Sequence, residues 1–444
     1  MITQMFPRVF QKYVDLPVLG PLMDEYAAWL FEQQYTRQSG RRGLQMVTHI
    51  CEFLNNRGIH CIEDVSENDL QACYQLFRRK FTRQAGSVRV LTKFLMEQAV
   101  VQPSPAPEPG PKEILLNKFM DHLRDEHGYA SSTVRGQSSY TSEFLDLLKY
   151  EEARNRLASL SITDIDDFIQ HMAKRMSRAS LQCVTSSLRN FLRFLVVEGV
   201  IPPGLENQID TPCVYRQEKL PRSLPWLTVQ AFLQSIDRNT AAGKRDYAIF
   251  SLIAVYGLRA CDVADLKLED IKWRAKCIRI CQTKTGGPLE LPLIDEVGLA
   301  LYNYLKGVPR YGNYRHVFLC INAPGGILKS RAIIRAFERW AQRSGLDIPY
   351  KGPHCLRHSM AIHMCRQNIP LKTIGDILGH RTPESTAGYI RLQTEDLREV
   401  ALNVPAPIEV QKEVQSSIPG GEIQWRCSWS RQRIYRGFRA EPEE

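Results

Sequence analysis

The stretch GPHCLRHSM, residues 352–360, brings two histidines and an arginine close together in sequence. His354 and His358 stand four apart, which on a helix puts both on one face. Zinc sites of the H-E-x-x-H kind use that spacing. His354 and Arg357 stand three apart, and on a helix they converge as two cationic donors facing an anion. Metal and phosphate chemistry are both open at this point. Three other stretches carry residues of similar character. YGLRACDVADL sets Arg259 directly after an apolar run and a glycine, with Asp262 three positions on. CQTKTGGP sets Lys284 in or beside a turn, and ILGHRTPESTAGYIRL supplies His380 and, nine residues later, Tyr389. Taken singly, each has an ordinary reading. An arginine there can cap the carbonyls at a helix end, a turn lysine is usually solvated, and a lone tyrosine is usually a partly buried aromatic.

These residues belong to a chain of 444 residues, too long for one ordinary core, so two or three domains are expected. Its 43% hydrophobic and 24% charged content is ordinary for a soluble globular protein. The net charge of +10 is spread along the length and favours a polyanionic partner, nucleic acid first. The opening MITQMFPRVFQKYVDLPVLG has no basic start followed by an apolar run, so no secretory signal is read there. The most apolar stretch, YAIFSLIAVYGL at 247–258, falls far short of a membrane span. The cysteines are scattered with no CxxC pair, which reads as reduced thiols in a cytosolic protein rather than a zinc ribbon or a disulfide framework.

Two proline-rich breaks divide the elements that must position the chemistry. VQPSPAPEPGPK (101–112) forbids a continuous helix and favours an extended linker, and VIPPG to KLPRSLPW (200–226) interrupts helical patterning again. The parts are then 1–100, 113–200 and 220–405, with a tail at 406–444. The first two read as versions of one unit. Each starts with an amphipathic segment, passes through CEFLNN or SEFLDLL, continues into an acidic helix start and closes on an apolar helix before proline. Apolar residues at three- and four-residue spacing predict helices throughout, with Ser66 and Thr163 as N-caps. The third part is mixed. KCIRICQTKTGGPLELPLI predicts a β-hairpin around Gly-Gly, flanked by helical segments from VQAFLQSID to EDLREVALNV. The fold class expected is mainly α with a small β-sheet. After Val404, the basic and aromatic IQWRCSWSRQRIYRGFRA has no clear period and reads equally as an ordered tail, a DNA-contacting arm or an unstructured end.

GLR with an acidic residue three on, a hairpin lysine, HxxR running into an apolar segment, then LGH with a tyrosine nine residues later occur in that order. In this the sequence resembles the tyrosine recombinase (phage integrase) family, over about 220–400 and more loosely over 113–200. The resemblance implies SAM-like helical DNA-binding units followed by a mixed α+β catalytic domain. It implies a site-specific recombinase that cuts and rejoins DNA through a 3′-phosphotyrosine link, with no metal, ATP or other cofactor. The catalytic residues it implies are Arg259, Lys284, His354, Arg357, His380 and Tyr389. Two guanidiniums suit the non-bridging oxygens of a pentavalent phosphorus, because each presents a planar fork. His354 and His380 would add donors, with His354 the best candidate base. Tyr389 would be the nucleophile, with nearby cations easing its ionisation, and Lys284 would protonate the departing 5′-oxygen.

That reading settles the choice for phosphate. A zinc protease needs a glutamate after the first histidine, where Cys355 stands, and no third ligand cluster is near. His358 is then a packing or secondary residue. Arg78, Arg79 and Lys80 in FRRKFTRQ, and Lys174, Arg175 and Arg178 in AKRMSRAS, suit phosphate contacts that fix register. Solvated helix faces are the ordinary alternative. The segment ENQIDTPCVYRQEKLPRS would connect the two jaws of a clamp around duplex DNA. The partners implied are double-stranded DNA with an inverted-repeat core site and other recombinase protomers, in a homo- or hetero-tetramer on paired sites. The extra first hundred residues suggest an enzyme of a transposon or integrative element rather than a minimal chromosome-dimer resolvase. The location expected is cytoplasmic, on the nucleoid in a bacterium, with no membrane partner. The competing readings are a type IB topoisomerase and a non-catalytic DNA-binding protein on the same scaffold. The intact set of six residues argues against the latter.

Overall fold

Several helix starts among the described residues are set by hydroxyl caps. The computed structural model describes residues 2–82, 84–104, 108–215, 221–284, 286–308, 313–323, 325–380 and 382–389. The tail at 406–444 and the helical pattern of EDLREVALNV lie outside the described residues. After two short helices, Ile2–Met5 and Gln11–Val14, come α1 (Met23–Glu32), α2 (Arg37–Asn55), α3 (Glu67–Lys80) and α4 (Gly86–Glu97). Thr36 caps α2 by accepting from the Ser39 amide at 3.2 Å. Ser66 caps α3 in a reciprocal capping box with Asp69. The apolar faces of these helices close on a core that includes Tyr26, Leu44, Ile50, Leu70, Val88 and Phe94, all almost wholly buried.

The same order follows in α5 (Pro111–Asp125), α6 (Ser131–Leu147), α7 (Ile162–Ala173) and α8 (Arg178–Val197). They enclose a separate core built on Phe119, Phe144, Phe168, Phe191 and Leu195. The cap of α7 is Ser161, not Thr163. Ser161 has the extended backbone a cap requires and accepts from the Asp164 amide, while the Asp164 carboxylate returns to the Ser161 amide at 3.0 Å. Thr163 lies inside the first turn, and the carboxylate that completes the box stands three residues after Ser161, not after Thr163.

From residue 226 the chain is mixed. Helices α9 (Trp226–Gln234), α10 (Ala241–Tyr256) and α11 (Ala260–Asp265) lead into strands β1 (Ile271–Lys272), β2 (Cys277–Cys281) and β3 (Pro288–Pro292). The strands form one antiparallel sheet in the order β1-β2-β3, with Ile278 opposite Leu291 and Ile280 opposite Leu289. Ile278, Ile280 and Leu291 turn into the core while Arg279 and Glu290 face water, the alternation that fixes register. The predicted hairpin is present: the amide of Gln282 donates to Gly287 and that of Gly286 to Gln282, closing the loop that carries Lys284. Helices α12 (Asp295–Gly307), α13 (Ser330–Ser344), α14 (His354–Arg366), α15 (Leu371–Leu378) and α16 (Glu384–Ala387) complete the described chain. At the centre lies α10, apolar nearly all round and buried along most of its length. Its one buried carboxylate, Asp246, accepts from the Arg245 and Arg339 guanidiniums and from the Trp340 indole at 2.9 Å, so the charge is paired on every side. Mainly α with a small antiparallel sheet is the fold the sequence led us to expect.

Candidate active site

Two glycines bring the separate stretches together. Gly257 ends α10 in the left-handed region at φ 63°, and a Cβ there would stand 2.5 Å from the Leu378 side chain. Gly379 ends α15 at φ 61°, and a Cβ there would stand 1.9 Å from the Gln282 amide nitrogen. Only glycine meets both demands at either place. The C-terminal ends of α10 and α15 can therefore approach each other and the hairpin loop.

Arg357, on the second turn's approach in α14, joins those two ends. It is 4% exposed, and its guanidinium donates to the carbonyls of Gly257 and of Leu378, the latter at 2.7 Å. The carbonyl-cap role considered for Arg259 thus belongs to Arg357. A guanidinium has five N–H donors, so two carbonyls do not exhaust it. Burial, then the charge of Arg259, pulls its pKa down to about 10, and it remains a cation at neutral pH.

Arg259 begins α11 and points to the hairpin, donating to the Gln282 side-chain oxygen at 3.3 Å and lying 3.8 Å from Asp262. Asp262 is 2% exposed and accepts from the Thr283 amide at 3.0 Å. One carboxylate therefore ties the arginine to the loop bearing Lys284. Arg259, Lys284 and His354 line a single cavity of about 320 Å3, with Ser330, Gly352 and Pro353 on its wall. Three groups from different parts of the sequence converge on this space. Arg357, His380 and Tyr389 do not line it.

His354 opens α14 and keeps a solvent-exposed face. The protein packed around it, then the charges of Arg357, Arg259 and Lys284, hold its pKa below the ordinary value. With that face in water the cations are the firmer cause. One turn on, His358 lies with its ring centroid 5.8 Å from that of His354. Its Nδ1 is 3.0 Å from the Tyr389 hydroxyl. His380 follows Gly379 and pairs through Nδ1 with the Thr386 hydroxyl at 2.8 Å, its ring parallel to Tyr389 at 6.3 Å. Burial first, then nearby positive charge, lowers both His358 and His380 to about 4, so both are neutral at pH 7.

Tyr389 is 4% exposed. The cationic neighbours do pull its pKa down, through Arg357 and then Arg259, but burial outweighs them and the net shift is upward. The cations thus ease the ionisation as expected from the sequence, without offsetting the burial. The histidine at the hydroxyl is His358, read from the sequence as a packing or secondary residue. Gln282, buried between Arg259 and Gly379, gave no signal in the sequence, since an amide in a polar turn looks like any other. Thr386 gave none either. Among the described residues no cluster of three or more histidine, cysteine or acidic side chains is placed to hold a metal ion. Arg78, Arg79 and Lys80 lie exposed on the last turn of α3, and Lys174, Arg175 and Arg178 around the break between α7 and α8. None of these six lines the cavity.

Comparison with known proteins agrees with the geometry. The phage integrase family profile matches residues 225–396, and that of the phage integrase N-terminal SAM-like domain matches 116–199. A candidate integrase/recombinase of Sinorhizobium fredii, y4rA, is 30% identical over 390 residues, covering 87% of this chain and 94% of its own. The tyrosine recombinase XerC of Oceanobacillus iheyensis is 26% identical, over 65% of this chain and 94% of its own. Among solved structures, XerH site-specific recombinase bound to palindromic difH substrate superposes with a TM-score of 0.51 at 18% identity, covering 66% of this chain and 97% of that one. The chain belongs to the phage integrase family, and it is an enzyme of the tyrosine recombinase class.

Proposed function

We propose that the protein breaks and rejoins DNA strands at specific sites through a 3′-phosphotyrosine on Tyr389. The observation that carries this is the convergence of Arg259, Lys284 and His354 on one cavity, with Arg357, His380 and Tyr389 grouped beside it. The scissile phosphate binds between the cavity-lining residues and the group beside them. Arg259 and Arg357 take charge from its non-bridging oxygens, and His380 adds a donor. Tyr389 attacks phosphorus as His354, neutral at pH 7, takes its proton. Lys284 gives a proton to the departing 5′-oxygen. The tyrosyl ester conserves the broken bond, so religation needs no ATP, and the positive cluster does what metal ions do in carboxylate-based nucleases.

The substrate is duplex DNA carrying an inverted-repeat core, and the working form is a tetramer of protomers on two paired sites. Likeness over most of its length to y4rA supports integration, excision or transposition of a mobile element. The division into modules at 1–100, 113–200 and 220–405 is supported by the separate cores of the two helical parts. The test is a nicked suicide substrate in EDTA. The wild-type chain forms a covalent protein–DNA adduct, and Tyr389→Phe forms none while binding DNA as before. An adduct from the Phe variant moves the nucleophile elsewhere, and a strict need for divalent metal overturns the mechanism.

A further inference from the structure

Residues 2–101 lie outside both family profiles, which cover 116–199 and 225–396. Yet they repeat the helical unit that follows, down to its turns. In each unit the first long helix ends on a left-handed residue, Gln34 at φ 64° and Gly128 at φ 61°. The second ends the same way, at Gly58 and Lys149, and the fourth does so at Ala99 and Gly199. Each fourth helix closes with a matching 2.9 Å bond, Val100 to Leu95 and Val200 to Leu195. Each third helix starts on a serine–aspartate capping box, Ser66 with Asp69 and Ser161 with Asp164. A left-handed helix end is common singly, but the same three ends, the same closing bond and the same capping box in the same order mark one fold used twice.

The repeat places charge as well as backbone. Counted from the capping serines, Arg79 and Lys80 fall where Lys174 and Arg175 fall in the second unit. In the first unit α2 and α3 run antiparallel, so the start of α2, the end of α3 and the start of α4 share one end of the bundle. His49 of α2 stacks on Phe81 just past α3 at 5.4 Å, and Arg42, Gln84 and Ser87 line one hollow there. No acidic residue occurs in 37–51 or 70–96. The carboxylates Glu52, Glu63, Asp64, Glu67 and Asp69 gather at the opposite end, while Glu32 at the end of α1 is the exception on the basic side. Arg42, Arg78, Arg79 and Lys80 are exposed.

We infer that residues 2–101 are a second DNA-clamping unit, whose basic end, Arg42 with Arg78, Arg79 and Lys80, grips the phosphate backbone of duplex DNA. This rests on the recombinase reading above only in its choice of duplex DNA. Cationic side chains without neighbouring carboxylates suit sequence-independent phosphate contact, and each such contact releases counterions. The unit extends the length of duplex that each protomer covers.

The test uses the full chain with Arg78→Gln, Arg79→Gln and Lys80→Gln together, on a random-sequence duplex. The control carries Arg57→Gln and Lys93→Gln at the opposite end, where both side chains are paired with carboxylates. The expected result is a slope of log affinity against log salt shallower by about 2 to 3 for the triple variant. The control keeps the wild-type slope to within about one contact. The wild type is tried for the covalent adduct on nicked DNA in parallel, so a failure of the recombinase reading would show separately as no adduct. An unchanged slope, or an equal change in the control, overturns the inference. A single Arg42→Gln variant, expected to lower the slope by about 1, guards against a fault confined to the last turn of α3.

Discussion

Arg357 holds two helix ends on one guanidinium, and the histidines around it stay uncharged through burial first and then through nearby positive charge, its own included. This has a pH consequence. His358 and His380 sit at about 4 in the folded protein, and His354 is also below its ordinary value. Proton acceptance needs neutral imidazole, and His354 is held below its ordinary value, so the acid limb of single-turnover adduct formation should lie below about pH 6.5. Stability has the same sign. The unfolded chain takes up protons first, near its ordinary histidine value, so the melting temperature should begin to fall below about pH 6.5 and keep falling towards 4. An activity limb centred on the ordinary histidine value would contradict this. His358→Phe keeps the ring and removes the bond to Tyr389. We expect adduct formation about tenfold slower with DNA affinity unchanged, the size of one lost orienting hydrogen bond. A faster variant would instead mean that His358 holds the tyrosine back. The six residues proposed for the site stand out in the sequence because type, order and spacing occur jointly. His358 was not, since a neighbour's hydroxyl thirty-one residues away leaves no local trace.

At the scale of elements, the hairpin and the helix ends do the positioning. The loop after β2 presents Lys284 while Gln282 and Asp262 bind it to Arg259. The hairpin was legible from β-rich runs around Gly-Gly, but the buried amide was not, because burial at that position depends on Gly379 approaching from far along the chain. The caps show the same limit at close range. Two hydroxyls two positions apart, Ser161 and Thr163, offer similar local signals, and the return bond from Asp164 decides between them. Ser161→Ala should therefore cost about 1 kcal/mol in denaturant unfolding, with Thr163→Ala nearly neutral. Equal losses would contradict the capping assignment.

Across the whole molecule, the two helical parts enclose their own cores, and the chain between them runs through proline-rich sequence. The repeat of units was legible because each copy ends on an apolar helix before proline. Its precision was not, since left-handed turns at Gln34, Lys149 and Ala99 use residues that do not advertise them. A chain starting at Glu108 keeps Gly110 as the cap of α5 and Pro111 in its first turn, so α5 retains its start. The bond from the Ser104 amide to Glu67, at 2.7 Å, lies wholly within the removed part. We expect this shortened chain to unfold in a single cooperative transition and to form the adduct on a nicked substrate, because Arg259, Lys284, His354, Arg357, His380 and Tyr389 all remain. Its binding should be weaker and less salt-sensitive, as four exposed cations at the basic end of the first unit are gone. Aggregation or loss of cooperative unfolding would show instead that the first unit covers apolar surface of the rest, and that the proline-rich stretch joins parts of one core.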